Sequence, residues 1–189
     1  MRNIYSLCLT LAAAVVMATP AAAQMANSDP MVGGQAMYPA KDIVTNAMNS
    51  ADHTTLVAAV KAAGLVETLQ GKGPFTVFAP TNEAFAALPA GAVDNLLKPE
   101  NKAALTKVLT YHVVAGEYDA AAIEKLIKKG NGTASLKTVS GGTLWFMMNG
   151  PMNVVVKDEA GHVADISTYD VRQSNGVIHV VDRVLMPNM

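Results

Sequence analysis

The residue pattern of this chain changes abruptly after Gly132, and this change limits the folds that the chain can adopt. The short runs SLKTVS, TLWFMM, NVVVKD and HVADIST follow, separated by the turn-forming stretches GG, NGP and DEAG. Such runs are typical of antiparallel strands joined by tight turns. We also predict a type I′ turn with positive φ at Asn175 and Gly176, which would join a YDVRQ strand to a VIHVVDRVLM strand.

Upstream of Gly132 the apolar residues recur mainly at helical spacing, and a capping residue precedes several of these segments. Asp42, Asp52, Thr81 and Asp119 can each accept a hydrogen bond from the free amides of a first helical turn. One strand is predicted between these helices: PFTVFAP is a proline-bounded run of β-branched and aromatic residues, which predicts a short buried strand. Helices first and an antiparallel sheet last together predict an α+β fold.

The beginning of the chain has the features of an export signal. MRNIYSLCLTLAAAVVMATPAAAQ combines one arginine, an apolar stretch and an A-x-A cleavage pattern. We predict a signal peptide over residues 1–23, a flexible leader over residues 24–38 that is rich in Gly, Pro, Ser and Asn, and one domain over residues 39–187. No later segment is long and apolar enough to span a bilayer, so we expect a periplasmic or secreted protein.

Composition excludes several function classes. Cys8 is the only cysteine and lies inside the predicted signal, so the exported chain would have neither disulfides nor thiol chemistry. The domain must then be held together by its apolar core. Without Arg2 the chain has 13 basic and 15 acidic side chains, a formal charge of −2, with no long run of either sign. Together with an aromatic content of 5%, this argues against a nucleic-acid partner.

Two histidines stand within apolar patterns, so we expect their side chains in the core. His112 continues an apolar helical stripe that includes Leu109, and Tyr111 lies one position off that stripe. In SNGVIHVVDRVLMP, an extended chain places His179 and Asp182 on opposite faces. An unpaired buried polar group costs about 1–3 kcal/mol, so each of these groups needs a partner. We expect Asp182 and the arginine that follows it to cap loops or form ion pairs.

Three stretches of the chain resemble the signature motifs of the fasciclin (FAS1) domain family. They are FTVFAPTNEAFAAL at residues 75–88, the Tyr-His motif YHVVAGEY that begins at Tyr111 and His112, and SNGVIHVVDRVLMP at residues 174–187. They occur in the family's order, and the similarity spans roughly residues 39–187. The resemblance implies a FAS1-type β-wedge or sandwich of antiparallel strands with a cluster of helices at one end, in agreement with the α+β interpretation.

The same resemblance implies a non-enzymatic module for cell adhesion, surface or matrix contact, or host association. Its partners would be cell-surface or matrix proteins or glycans, and an interaction role would transfer to Tyr111 and His112. Structural roles are expected for the remaining motif residues: Thr81, Asn82, Phe85, Asn175, Gly176, His179 and Asp182. We expect a monomer with no cofactor, no nucleic-acid partner and no transmembrane segment after signal cleavage.

Other functions depend on different residues. A carrier of a hydrophobic small molecule, a lipid or a pigment, could use the WFMM segment at residues 145–148 to line a groove. A hydrolase could pair Ser140 or Ser174 with His112 or His179, although the chain has no G-x-S-x-G elbow.

Metal binding has little support in the sequence. The histidines show none of the short spacings of recognised metal sites, so we expect no metal there. Soft Cu(I) could bind Met147, Met148 and Met152, whereas methionine more often fills gaps in a core.

Overall fold

The computed structural model describes residues 29–151 and 153–188. In this part of the chain the α-helices are α1 (Ile43–Asn49), α2 (Thr54–Ala63), α3 (Val66–Gln70), α4 (Asn82–Ala86), α5 (Ala92–Leu96), α6 (Lys102–Tyr111) and α7 (Ala120–Lys129). The strands are β1 (Met31–Val32), β2 (Gln35–Ala36), β3 (Phe75–Pro80), β4 (Val113–Ala115), β5 (Thr133–Lys137), β6 (Thr143–Met148), β7 (Val154–Lys157), β8 (Val163–Gln173) and β9 (Gly176–Val181).

The strands from β3 to β9 form one mixed sheet in the order β4-β3-β9-β8-β7-β6-β5. Neighbours in this sheet are antiparallel except for β3 and β9, which run parallel with Phe75 opposite Gly176. A bridge between Val114 and Thr138 brings the two edge strands together, so the sheet is nearly closed. The predicted α+β fold is confirmed, and the parallel pair is an addition that local patterns did not indicate.

Two apolar clusters fill the domain, and the alternation of side chains along β3 contributes to both. Val77 belongs to the helix-side cluster, which joins the sheet to helices α1, α2, α3, α4 and α6. Phe78, its neighbour, belongs to the second, inner apolar cluster, which lies within the curved sheet and includes Phe146 and residues of α7. Since successive side chains on a strand point to opposite faces, one strand supports both clusters. Helices α1, α2, α3, α4 and α6 thus lie together against one face of the sheet, whereas α7 packs with the second cluster.

Several of the predicted helix caps are present. The side chains of Asp42, Thr81 and Asp119 accept hydrogen bonds from amides three residues further on, at 2.9, 3.2 and 2.8 Å. The prediction for Asp52 is wrong, because residues 51–53 form a 3-10 turn and α2 begins at Thr54. Asn82, distant in sequence, supplies an acceptor for the first turn of α2 instead.

The predicted type I′ turn at Asn175 and Gly176 is wrong. The turn residues are Ser174 and Asn175, neither of which has positive φ. Gly176 has the expected positive φ, +156°, but already belongs to β9. The glycine is needed for a close approach, because a Cβ at this position would lie 2.0 Å from the backbone oxygen of Phe75. The parallel neighbour β3 therefore explains the glycine and sets the register of this hairpin.

The predicted leader needs a correction over its described part. β1 and β2 pair as a short antiparallel hairpin with Met31 opposite Ala36. Val32 and Met37 are 8% and 2% exposed and belong to the helix-side apolar cluster, so the folded domain begins before residue 39. The predicted signal peptide and residues 24–28 lie outside the described residues. Among the described residues, none of the helices combines the length and hydropathy needed to cross a bilayer.

Candidate functional site

Tyr111, the first residue of the Tyr-His motif, is fully buried at the end of α6. Its hydroxyl donates to the carbonyl of Thr143 at 2.7 Å and accepts from the amide of Glu159 at 2.9 Å. Burial raises the pKa of Tyr111 to about 12, so the phenol stays protonated. The side chain therefore connects α6 to the start of β6 and to the turn between β7 and β8.

His112, the second residue of the motif, follows α6 and is also buried. Its Nδ1 lies 2.8 Å from the carbonyl of Val108, and its Nε2 lies 2.9 Å from the amide of Leu185. A carbonyl can only accept, so Nδ1 carries the proton and Nε2 accepts from Leu185. Burial lowers the pKa of His112 to about 4, which keeps the ring neutral. Neither motif side chain is placed to contact a partner at the surface.

Asp158 and Glu159 extend this network, and the sequence analysis did not identify them. Asp158 Oδ2 accepts from the amide of Met186 at 2.9 Å, and Glu159 Oε2 accepts from the amide of Asn188 at 3.1 Å. With the bond from Leu185 to His112, three buried or partly buried side chains hold the backbone after β9. The DEAG pattern predicts only a turn between two strands, and nothing local to it indicates these distant acceptor roles.

His179 lies in the middle of β9 and is fully buried. Its Nε2 donates to the carbonyl of Tyr118 at 2.8 Å, its Nδ1 lies 3.4 Å from the amide of Asp170, and its ring stacks on Phe78 with centroids 5.6 Å apart. Burial lowers the pKa of His179, which favours the neutral ring. Asp182 is separate from it, because its carboxylate accepts from the amide of Asp165 at 2.8 Å on the exposed side of the sheet.

Long-range side chains satisfy the free amides at the beginnings of three helices. Asn175 Oδ1 accepts from the first amide of α1 at 3.1 Å, Asn82 Oδ1 accepts from the second amide of α2 at 3.0 Å, and Asp170 Oδ1 accepts from the first amide of α7 at 2.7 Å. Asp170 reaches this position through a bulge in β8, where its φ is +55°. These acceptors supplement local capping, so the motif asparagines orient whole helices.

The remaining motif residues also have internal partners. Asn175 Nδ2 donates to the carbonyl of Leu69 at 2.8 Å, and Asn82 Nδ2 donates to the carbonyl of Ala51 at 2.9 Å. Phe85 is buried in the helix-side cluster. The three signature stretches are therefore joined to distant helices and to one another's strands. The motif side chains therefore stabilise the fold by joining segments that are distant in sequence.

The comparison with protein families decides what kind of domain this is. The family description "Fasciclin domain" matches residues 51–187, which is most of the chain. The chain belongs to the fasciclin domain family. The resemblance inferred from the three motifs is thus confirmed.

Relatives of this fasciclin domain are found in bacteria and animals. Protein sll1483 of Synechocystis is 45% identical over 178 residues, with 93% of this chain and 91% of the relative covered. The cell surface glycolipoprotein MPB83 of Mycobacterium bovis is 35% identical over 184 residues, with 90% of this chain and 76% of the relative covered.

A solved structure supports the fold. The FAS1 domain pair of the insect cell adhesion molecule fasciclin I has a TM-score of 0.69 at 17% identity. The match covers 77% of this chain and 51% of the insect chain, so this chain spans about half the length of that structure. At this identity the likeness shows the fold alone.

The serine and histidine pairs considered for a hydrolase are not formed. Both ring nitrogens of His112 and of His179 face backbone groups, and the Ser140 hydroxyl contacts that of Thr138 at 2.9 Å. A different pair is present, with Ser50 Oγ 2.8 Å from His53 Nδ1. Both residues are buried, and Ser50 lies beneath the β1-β2 hairpin, so a substrate has no access to the pair in this fasciclin domain.

Among the described residues, neither metal-binding alternative has a built site. Within residues 29–151 and 153–188, no three His, Cys, Asp or Glu side chains converge as metal ligands. For copper, Met147 lines an outer groove whereas Met148 packs against the inner apolar cluster. Adjacent strand residues point to opposite faces, so these two sulfurs cannot share one ion through their local geometry. Met152 lies outside the described residues.

The carrier alternative requires a cavity large enough for a lipid or pigment. The apolar cavity between the helices and β3, lined by residues such as Leu56, Val60 and Leu109, has a volume of about 40 Å³. A single water needs about 10–15 Å³ on this measure, so this space holds only a few atoms. The groove beside Trp145 and Met147 is larger, about 380 Å³, but it is open and also lined by Lys157 and Glu159.

Proposed function

We propose that this fasciclin domain is an exported, non-enzymatic recognition module for cell adhesion, surface or matrix contact, or host association. Its partners would be cell-surface or matrix proteins or glycans. The proposal is supported chiefly by the internal use of the polar motif side chains: the rings of His112 and His179 are buried and hydrogen-bonded to the backbone. A general base needs access to a substrate proton, and neither ring has it.

The relatives of the domain and its predicted export signal support this role. The mycobacterial relative is by its name a cell surface glycolipoprotein, and the insect structure belongs to a cell adhesion molecule. The predicted signal at residues 1–23 and the absence of cysteine after Cys8 favour export to the periplasm or beyond, and we propose that the exported form is a monomer. Recognition would then depend on surface complementarity around a scaffold that the buried motifs keep rigid.

A binding experiment tests this function. Beads coated with the purified protein are mixed with bacterial cells, host cells or extracted matrix, and the bound fraction is counted. We expect binding that is saturable and that is lost when the protein on the beads has been unfolded. Equal binding by folded and unfolded protein, or none to any surface, would reject the adhesion role.

The same preparation tests the other functions. Purification from the native source, followed by an absorption spectrum and lipid extraction, is expected to give no bound compound. One lipid or pigment per protein would instead identify a carrier. Turnover of generic esters that disappears on changing Ser50 or His53 would identify a hydrolase.

A further inference from the structure

An open groove of about 370 Å³ lies on the surface where the first and last signature stretches meet. The end of α4 and the residues after it supply one wall, with Ala84, Leu88 and Pro89. The segment after β9 supplies the other wall, with Val184 and Met186. The groove is mainly apolar, and its polar lining side chains are those of Arg183 and His162.

The accessible charge of this groove is positive. Arg183 is exposed, and within the described residues its guanidinium makes neither a hydrogen bond nor an ion pair. The side chain of His162 is half exposed, and its ring lies 3.1 Å from Asp158. The Asp158 carboxylate is buried and occupied by His162 and by the amide of Met186. Asp182, the acid next to Arg183, bonds to the amide of Asp165 and does not line the groove.

One wall of the groove is held in place from below. The amides of Leu185, Met186 and Asn188 donate to His112, Asp158 and Glu159. Because these bonds already order the backbone, binding would not have to order it. His112 would therefore act on recognition as a positioning residue, although it is itself buried.

We propose that this groove binds a segment of a partner protein that presents an aspartate or glutamate between aliphatic residues. The carboxylate would pair with the Arg183 guanidinium, a geometry that permits two parallel hydrogen bonds. The aliphatic neighbours would cover Leu88, Val184 and Met186. A peptide suits the open shape better than a fatty acid, whose chain would stay largely in water here. This inference rests on the proposed recognition function and names its partner chemistry.

Selection from a displayed library of random heptapeptides, with the purified protein as bait, tests the proposal. We expect enriched peptides to carry Asp or Glu next to Leu, Ile, Val or Phe. A synthetic peptide from the enriched set should shift the NMR amide signals of residues 84–89 and 183–188. Arg183→Gln should weaken its binding about three- to tenfold, and Asp/Glu→Asn/Gln in the peptide should do the same.

Arg172→Gln is the matched control, because Arg172 is also exposed but its ion pairs are with Glu117 and Asp119, outside the groove. It should leave peptide binding unchanged, and thermal unfolding of both variants should show that they remain folded. Failure to enrich any peptide, equal binding by Arg183→Gln, or shifts located elsewhere would each overturn the proposal. So would binding of octanoate to these residues in place of any peptide.

The bead experiment separates this inference from the function on which it rests. If beads carrying Arg183→Gln bind cells or matrix as well as the unaltered protein does, the groove assignment is wrong and the adhesion role stands. If the unaltered protein binds no surface, the adhesion role fails whatever the peptides show.

Discussion

The backbone amide of Leu185 donates a hydrogen bond of 2.9 Å to Nε2 of His112, across 73 positions of sequence. This bond connects the Tyr-His motif to the last signature stretch. It also holds one wall of the surface groove beside Val184 and Met186, so the buried histidine would act on the proposed recognition only through the backbone.

Replacing His112 with alanine should lower stability. The substitution removes both ring hydrogen bonds, leaves the buried amide of Leu185 without its acceptor and opens a cavity, so we expect a loss of about 2–4 kcal/mol in the free energy of unfolding. Urea denaturation measures it. His162→Ala, at a half-exposed histidine, is the comparison and should cost clearly less. Unchanged unfolding together with lost adhesion would mean that His112 contacts a partner directly.

Tyr111→Phe isolates the hydroxyl of the motif tyrosine. The change leaves the carbonyl of Thr143 and the amide of Glu159 without their buried partner, so a loss of about 1–3 kcal/mol is expected. Tyr38→Phe is the control, because Tyr38 is 45% exposed and should change stability by less than about 0.5 kcal/mol. Similar melting temperatures for the two variants would contradict the bracing role of Tyr111.

Acid should destabilise the domain through its buried histidines. Burial lowers the pKa of His112 from 6.5 to about 4. The unfolded chain therefore takes up the proton first, so stability is unaffected well above pH 6.5 and falls as the pH drops from 6.5 toward 4. At about pH 4, His112 alone lowers the free energy of unfolding by about 3 kcal/mol. The lowered pKa values of His53 and His179 act in the same direction.

Urea unfolding at about pH 7.5 and about pH 5 measures this dependence. His112→Gln retains the carboxylates, which also titrate in acid, and lacks this histidine. The difference between the two pH values should therefore be smaller in that variant. An unchanged difference would show that His112 does not contribute.

Gly176→Ala should disrupt the parallel pairing of β3 and β9. The added Cβ would lie 2.0 Å from the carbonyl oxygen of Phe75, so the two strands would have to separate, at a cost of about 3 kcal/mol or more. Gly161→Ala is the control: it has a positive φ of 88° and open space around it, and should cost only about 1–2 kcal/mol. Equal losses would indicate that close approach is not the reason for Gly176.

A chain that begins at residue 39 should be less stable than one that begins at residue 29. Removing the hairpin exposes the apolar surface that Val32 and Met37 cover. We therefore expect the free energy of unfolding to fall by about 2–5 kcal/mol. Thermal unfolding of the two chains measures it, with a start at residue 30 as the control. Identical melting temperatures would mean that the folded domain begins at residue 39, as the sequence predicts.

The parts of the fold that were predicted correctly depend on residues close together in sequence. Asp42, Thr81 and Asp119 cap helices because an acceptor side chain and the amide it binds are three residues apart. The wrong prediction at Asp52 shows the limit of this reasoning, since the first turn of α2 receives a distant acceptor from Asn82 instead. The burial of His112 could likewise be predicted from a helical stripe. Its hydrogen-bond partner Leu185, 73 positions away, could not.

By itself, the sequence determined the α+β class, several helix beginnings and the family, since periodicity, capping and motifs are properties of neighbouring residues. The tertiary structure alone decided the parallel pairing of β3 with β9, the turn at Ser174 and Asn175, the packing of the first hairpin and the groove at Arg183. These features join segments far apart in the chain, and their hydrogen bonds and close approaches exist only once the backbone has closed around its core.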